Sequence, residues 1–456
     1  MAVVHKFEQN NIKMLLDGNS GSFHIVDSIT YDLIDFYGNY NDDIIIDKLC
    51  CKYEKGDIIE ALDELKSLEN NGLLYTEDPY ESIIAKDAGE TFIKAMCLNI
   101  AHDCNLRCKY CFASKGDYKG KRSLMTSEVG RTAIDFVIKK SGPRKNIEVD
   151  LFGGEPLINY EVVKSIVDYG RQQEKIHNKV IRFTITTNAL LLDDDKIEYL
   201  NNNMENIVLS IDGRKEINDG VRVRADGKGT FEDILPKIKK MVDKRHGDKQ
   251  YYVRGTFTSK NLDFYNDVIE LAALGFKEIS IEPVVLPDDN ELSLKEEHIG
   301  IIFEQYEKLA MEIIERKKSG QEFKFYHFAI DINGGPCIYK RISGCGAGFE
   351  YIAVTPEGDI YPCHQFVGNN DFKIGTIFDE EINIIKSTEF KNAHIYNKKD
   401  CINCWAKFYC SGGCQANNYN FNGSILKPYK LGCILQKKRI ESALMIKATE
   451  FLNSGN

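Results

Sequence analysis

Three cysteines fall within eight residues in Cys104-Asn105-Leu106-Arg107-Cys108-Lys109-Tyr110-Cys111, directly after the apolar run Ala95 to Ile100. Thiolates are soft ligands for zinc and for iron–sulfur clusters, and both ordinarily take four protein ligands. A triad is one ligand short, and a metal centre short of one protein ligand can bind something else, as catalytic metal sites do. A second set stands near the other end, Cys401-x2-Cys404-x5-Cys410-x3-Cys414 followed by Cys433. Upstream of it comes Cys345-x12-Gly358-x4-Cys363, with Cys337 earlier still. Eleven of the fourteen cysteines lie in or beside these groups. In a reducing compartment, where disulfides rarely persist, such clustering favours metal binding. Cys50, Cys51 and Cys97 lie inside apolar patterns and read as small buried hydrophobes.

Chemistry at the triad needs elements to position it. Strand-like apolar runs at 95–100, 147–151, 180–187, 206–211, 251–258 and 278–284 alternate with helical stretches. Examples of the latter are Ser127–Lys140, Glu161–Glu174, Phe231–Lys244 and Phe264–Leu274. This alternation predicts βαβ units and a parallel sheet. Six repeats fall short of the eight of a closed barrel, so the class is α/β and the architecture a partial (β/α)6 barrel over residues 91–318. Active groups in such folds lie at the C-terminal ends of strands. The triad follows the first strand, and Gly153-Gly154-Glu155-Pro156 follows the second. After a long helix near 294–318 the chain turns Gly- and Cys-rich. Residues 330–456 make a third unit, whose cysteine-rich part needs metals to hold it and whose final helix runs from about Leu435 to Leu452.

Residues 1–80 form a winged-helix-like unit. Short strands are expected at Val3–Phe7, Ile12–Leu16 and Phe23–Val26. Asp27-Ser28 caps a helix through Phe36, and Ile44, Ile45 and Leu49 mark a second. Ile58, Leu62, Leu65 and Leu68 mark a third, which Asn71-Gly72 stops before a strand at Leu73-Leu74-Tyr75. Asp78-Pro79 closes the unit and 80–90 read as a linker. The whole chain carries a net charge of −10, and residues 1–80, with six lysines, no arginine and sixteen acidic residues, account for all of it. That charge argues against a DNA-binding winged helix and suits a partner with basic residues. Composition, at 43% hydrophobic and 28% charged, is that of a soluble globular protein. No run of eighteen apolar residues and no signal-peptide stretch is present, so a cytoplasmic protein without a membrane partner is expected.

The C-x3-C-x2-C triad, followed after the next strand by Gly-Gly-Glu-Pro, resembles the radical S-adenosylmethionine (SAM) enzymes; the plainer alternative is a structural zinc. The resemblance implies that Cys104, Cys108 and Cys111 hold a [4Fe-4S] cluster whose open iron is chelated by SAM, and that one-electron reduction yields a 5′-deoxyadenosyl radical. It further implies SAM contacts from Gly153, Gly154 and Glu155 and from Thr187 and Asn188. Ser210 and Arg222 would hold the ribose or carboxylate, and the Tyr110 backbone would read the adenine. The downstream cysteines resemble the SPASM domain, which implies two auxiliary [4Fe-4S] clusters and three clusters in all. Cys401, Cys404, Cys410 and Cys433 would hold one; Cys345, Cys363 and Cys414 would hold the other, nearer the active site. Cys337 is a candidate fourth ligand; the favoured alternative is an open iron able to take a substrate thiolate.

The N-terminal unit resembles the recognition element of enzymes that modify ribosomally made peptides. There a leader peptide adds as a strand, here beside Ser22–Val26 and against Asp57–Leu68. The three units in this order resemble the thioether (sactionine)-forming maturases of cysteine-rich six-cysteines-in-forty-five peptides. Implied partners are a precursor peptide and an external electron donor, with no nucleic acid. The rivals are a formylglycine-forming sulfatase maturase and an iron–sulfur electron carrier or redox sensor. No general base is identifiable: His102 and His364 stand beside the cysteine groups, where a lone histidine is more often structural.

Overall fold

The computed structural model describes residues 2–84, 91–332, 338–379 and 381–455. It opens with β1 (Val4–Gln9), β2 (Ile12–Asp17) and β3 (Phe23–Val26), an antiparallel sheet in that order. Asn10 and Asn11, both at positive φ, make the two-residue β1–β2 hairpin, where such turns require it. Asp27 caps α1 (Ser28–Leu33) by accepting from the Thr30 N–H, as the sequence suggested. α2 (Asp42–Leu49) and α3 (Lys55–Asn70) pack on it around Leu33, Ile45, Leu49, Ile58, Leu62 and Leu65.

Two expectations for this unit fail. Leu73–Tyr75 forms no strand, because Tyr75 takes φ 54°, off the extended conformation. Side chains tie the segment down instead: the His24 ring nitrogen meets the Leu73 carbonyl at 3.1 Å, and the Thr76 N–H donates to Asp17 at 3.0 Å. Cys50 and Cys51 are exposed, not buried. Ile45 and Leu49 carry the inward stripe of α2, and the next two positions rotate out of it. Of the expected linker, Glu81–Ile84 form one helical turn, and residues 85–90 lie outside the described residues.

The barrel follows in alternation, with two helices between β7 and β8: β4 (Ala95–Ala101), α4 (Ser127–Lys140), β5 (Asn146–Gly153), α5 (Tyr160–His177), β6 (Val180–Thr187), α6 (Asp194–Asn203), β7 (Asn206–Ser210), α7 (Lys215–Val221), α8 (Phe231–Asp243), β8 (Gln250–Phe257), α9 (Phe264–Ala273), β9 (Glu278–Pro283) and α10 (Ile299–Lys318). β4 to β9 are parallel neighbours in chain order, the expected partial barrel. Ile147, Val149 and Leu151 of β5 and Ile181, Phe183 and Ile185 of β6 are buried at every second position, under the helices. β4 is buried throughout: Met96, Leu98 and Ile100 join that core, while Cys97 packs with Ala113, Tyr118 and Cys363.

The sheet continues past six strands. β10 (Lys324–Phe325) adds to β9. At the other edge β11 (Tyr351–Val354) pairs in parallel with β4, followed by antiparallel β12 (Asp359–Tyr361) and β13 (Gly375–Thr376). The cysteine-rich region therefore extends the sheet that holds the triad. The final helix, α11, is Lys430–Asn453; it begins earlier than expected, which puts Cys433 on it, and it packs along α10.

Candidate active site and iron–sulfur centres

The loop Cys104–Cys111 leaves β4 at its C-terminal end and is fastened by backbone. Arg107 N–H donates to the Val223 carbonyl at 2.7 Å and Lys109 N–H to that of Val221 at 3.0 Å. From the neighbouring strand, Gly154 N–H donates to the Ala101 carbonyl (2.8 Å) and Glu155 N–H to that of Asp103 (2.9 Å). Only glycine permits this approach. A Cβ on Gly154 would stand 2.1 Å from the Asp103 carbonyl oxygen, and one on Gly153, at φ 124°, would stand 2.4 Å from that of Ala101.

Cys104, Cys108 and Cys111 border a cavity of about 320 Å³, together with Gly153, Gly154, Glu155, Thr187, Asn188, Ser210, Arg222 and Tyr110. The structure thus brings every residue assigned to the radical site by sequence to one cavity, of a size usual for small-molecule sites. Glu155 is turned inward. Its carboxylate accepts from Leu157 N–H (3.0 Å), Thr187 hydroxyl (2.8 Å) and Asn188 N–H (2.8 Å), so it joins the ends of β5 and β6. Burial pushes its pKa up to about 7, although these donors favour the anion. The Tyr110 hydroxyl donates to Asp212 at 2.6 Å and accepts from Arg222 at 2.9 Å. This buried set ties the cysteine loop to the end of β7. Burial pushes the Cys104 thiol up to about 12, with the Glu155 charge adding to it, and the Cys108 thiol up to about 11. An electropositive group bound among them would reverse that preference and hold them as thiolates.

Sequence reasoning missed part of this cavity. Phe112, Phe152 and His364 stand together on one wall, with ring centroids 5.1–6.4 Å apart. The same cavity is lined by an Arg254–Glu282 ion pair (2.8 Å) from β8 and β9. Of these residues only Phe152, directly after the expected strand 147–151, carried a signal in the sequence.

The C-terminal cysteines separate into the two expected groups. Cys401, Cys404, Cys410 and Cys433 enclose a cavity of about 190 Å³. Burial pushes the Cys401 thiol up to about 12 and the Cys433 thiol up to about 11, and each also feels others of its group. Cys363 is buried, and its thiol is raised first by burial and then by Cys414 and Cys345. This group adjoins the first cavity, because His364, Gln365 and Asn417 line that cavity while Gln365 meets the Cys414 sulfur at 3.9 Å. Cys337 lies outside the described residues.

The residues suit the groups implied. The Cys104–Cys108–Cys111 set and the Cys401–Cys404–Cys410–Cys433 set border open space, and among the described residues no three His, Cys, Asp or Glu side chains gather tightly enough for a single ion. Two buried donors at the first site, Asn105 Nδ2 and Arg222 Nε, have no partner in the protein, as a site for a polar anionic ligand would leave them. Among the described residues no helix is long and apolar enough to cross a membrane.

Residues 98–255 match the radical SAM superfamily model, and residues 345–405 match SPASM, an iron–sulfur cluster-binding domain. The chain is 25% identical over 409 residues to the radical SAM cyclopropyl synthase TigE of Paramaledivibacter caminithermalis, covering 84% of this chain and 79% of that one. It is 24% identical over 344 residues to a cysteine-type anaerobic sulfatase-maturating enzyme of Clostridium novyi, covering 69% and 86%. The solved structure of Streptococcus suis SuiB bound to S-adenosylmethionine superposes with a TM-score of 0.54 at 16% identity, covering 94% of this chain and 98% of that one. Iron–sulfur clusters and SAM are the cofactors these domains imply, and the chain carries a radical SAM domain joined through one sheet to a SPASM domain.

Proposed function

We propose that this protein is a radical SAM peptide maturase that installs thioether crosslinks, cysteine sulfur to carbon, in a ribosomally made cysteine-rich precursor. In this reading residues 1–80 hold the leader, residues 91–318 hold SAM on the cluster of Cys104, Cys108 and Cys111, and residues 330–456 hold two auxiliary clusters on the seven cysteines named above. Bound SAM and its cluster would supply the 5′-deoxyadenosyl radical that takes a hydrogen atom from the acceptor residue; closing the sulfur–carbon bond would release the thiol proton and pass the second electron to an auxiliary cluster. The chain's own part is to shape the site: glycines 153 and 154 let the strand turn pack on the cysteine loop, Arg222 and Asn105 offer free donors, and Phe112, Phe152 and His364 form an aromatic wall beside the Cys345, Cys363 and Cys414 group.

The observation that carries this reading is where the N-terminal sheet sits. β3 is an outer strand with β2 on one side only, an edge that an extended leader can join. The same unit is anchored to the loop that bears Cys401, Cys404 and Cys410. The His5 ring stacks on Trp405 at 3.9 Å and 4° and reaches Glu441 at 2.9 Å. Asp78 accepts from Lys407 (2.7 Å) and from the Tyr396 hydroxyl. SuiB, whose solved structure with a precursor peptide is one of the fold's relatives, spans 94% of this chain.

The sulfatase-maturase reading is favoured by the Clostridium novyi relative, but that match leaves about a third of this chain outside it. TigE raises carbon–carbon closure as another outcome. Anaerobic incubation with SAM, a reductant and a short cysteine-rich precursor encoded beside the gene separates them. A thioether removes two hydrogens and one alkylatable thiol per link. Loss of two hydrogens with every thiol still alkylatable, or turnover indifferent to deletion of the leader, would sink the proposal.

A further inference from the structure

Three lysines are buried in the described structure: Lys398 at 1% exposure, Lys407 at 3% and Lys438 at 6%. Lys407 pairs with Asp78 and Lys438 with Glu307. Lys398 differs. Its ammonium donates to the Gly412 carbonyl at 2.8 Å, and among the described residues no carboxylate lies within ion-pair distance of it. It packs so closely on that loop that a Cβ at Gly412 would stand 2.9 Å from Nζ. Gly412 lies between Cys410 and Cys414, and Lys398 is one helical turn before Cys401. The charges that act on it are those of Cys401, Cys410, Cys414 and Cys345, members of both auxiliary groups. A buried ammonium with no anion is destabilising, and burial does push this lysine's pKa down. An anion arriving with the loaded protein would offset that cost and keep the lysine charged.

We propose that Lys398 is the counter-cation of the auxiliary clusters, a positioning residue whose buried ammonium balances their net negative charge and raises their reduction potential. Thiolate ligation leaves such clusters negatively charged, and reduction adds a further electron. A fixed cation between the two groups therefore favours the reduced form, since net charge and hydrogen bonding set these potentials. This rests on the reading that the seven cysteines hold iron–sulfur clusters.

The test uses the full chain, reconstituted anaerobically, as wild type, Lys398→Gln and Lys398→Arg, with iron content and reductive titration followed by electron paramagnetic resonance. The signal that shifts on adding SAM identifies the first cluster. With iron retained, Lys398→Gln should make at least one auxiliary cluster about tenfold harder to reduce, which is about 59 mV for a one-electron couple, while Lys398→Arg stays near wild type. Loss of auxiliary iron from Lys398→Gln but not from Lys398→Arg would also support charge compensation. Unchanged potentials in a fully loaded Lys398→Gln, or equal effects of both substitutions, would overturn it. Wild-type protein holding iron for one cluster only would instead overturn the auxiliary-cluster reading itself, and this proposal with it.

Discussion

The cysteine loop after β4 and the cysteines beyond β11 belong to one sheet but are held by different forces. Around Cys104–Cys111 the backbone is pinned on three sides: by Ala101 and Asp103 to the Gly153–Glu155 turn, by Arg107 and Lys109 to residues 221–223, and beneath by the fully buried β4. Six parallel strands and their helices supply the core, so this loop has its shape before any metal arrives. The later cysteines sit between short pieces. β11, β12 and β13 have four, three and two residues, and Cys401, Cys404 and Cys410 lie on or beside four-residue helices. Around Cys401 the apolar cluster is four buried residues, one of them Cys401 itself, while Cys363 belongs to a second cluster with Ala353, Phe366 and Phe390. So little buried area around Cys401 leaves that part dependent on crosslinks.

The largest consequence concerns metal removal. Iron-free protein, followed by hydrogen exchange, should keep β4–β9 protected while residues 395–433 exchange as though locally unfolded. Equal loss in both regions would erase the distinction drawn here. Reloading iron should restore protection in 395–433 with little change in the barrel.

A smaller effect probes the preformed side. Gly154→Ala places a methyl against the backbone of Asp103, an atom that cannot swing away, and should cost about 1–3 kcal/mol of stability and displace the triad loop. Iron at the first site and SAM binding should fall, with the auxiliary clusters unaffected. Loss of iron from all sites would show that the two regions assemble together.

That asymmetry also explains what could be read from the chain. The six barrel strands were legible because the residues facing the helices recur at every second position in long apolar runs, and the motif glycines because the turn tolerates nothing else. The Leu73–Tyr75 strand misled because three apolar residues after Asn-Gly look extended, while Tyr75 in fact takes a positive φ. The start of α11 was misplaced because Lys430 to Cys433 carry no strong periodicity. β11 on β4 was invisible, since a parallel pairing across some 250 residues leaves no local trace. The Arg254–Glu282 pair and Lys398 were missed for a related reason: a single charged residue gains meaning only from what surrounds it in space.

The smallest effect lies where the two regions are clamped together. α11, the end of the cysteine-rich region, reaches back to the barrel through Arg439, which donates to His327 Nδ1 at 3.0 Å; the other ring nitrogen meets the Ser280 hydroxyl at 3.2 Å. A guanidinium donating to Nδ1 requires a neutral ring, and burial, with Arg439 adding to it, pushes the His327 pKa down to about 3. In the unfolded chain the same ring titrates near 6.5. Above that pH neither state binds the proton and the clamp is at full strength. Below it the unfolded state takes up a proton that the folded state refuses, so stability falls by up to about 1.4 kcal/mol per pH unit until the folded value is reached. His327→Gln should therefore flatten the loss of stability between pH 6.5 and 5 relative to wild type, at some fixed cost at neutral pH. Thermal melts of both proteins across that range decide it: parallel slopes would mean that His327 takes no part in the acid sensitivity.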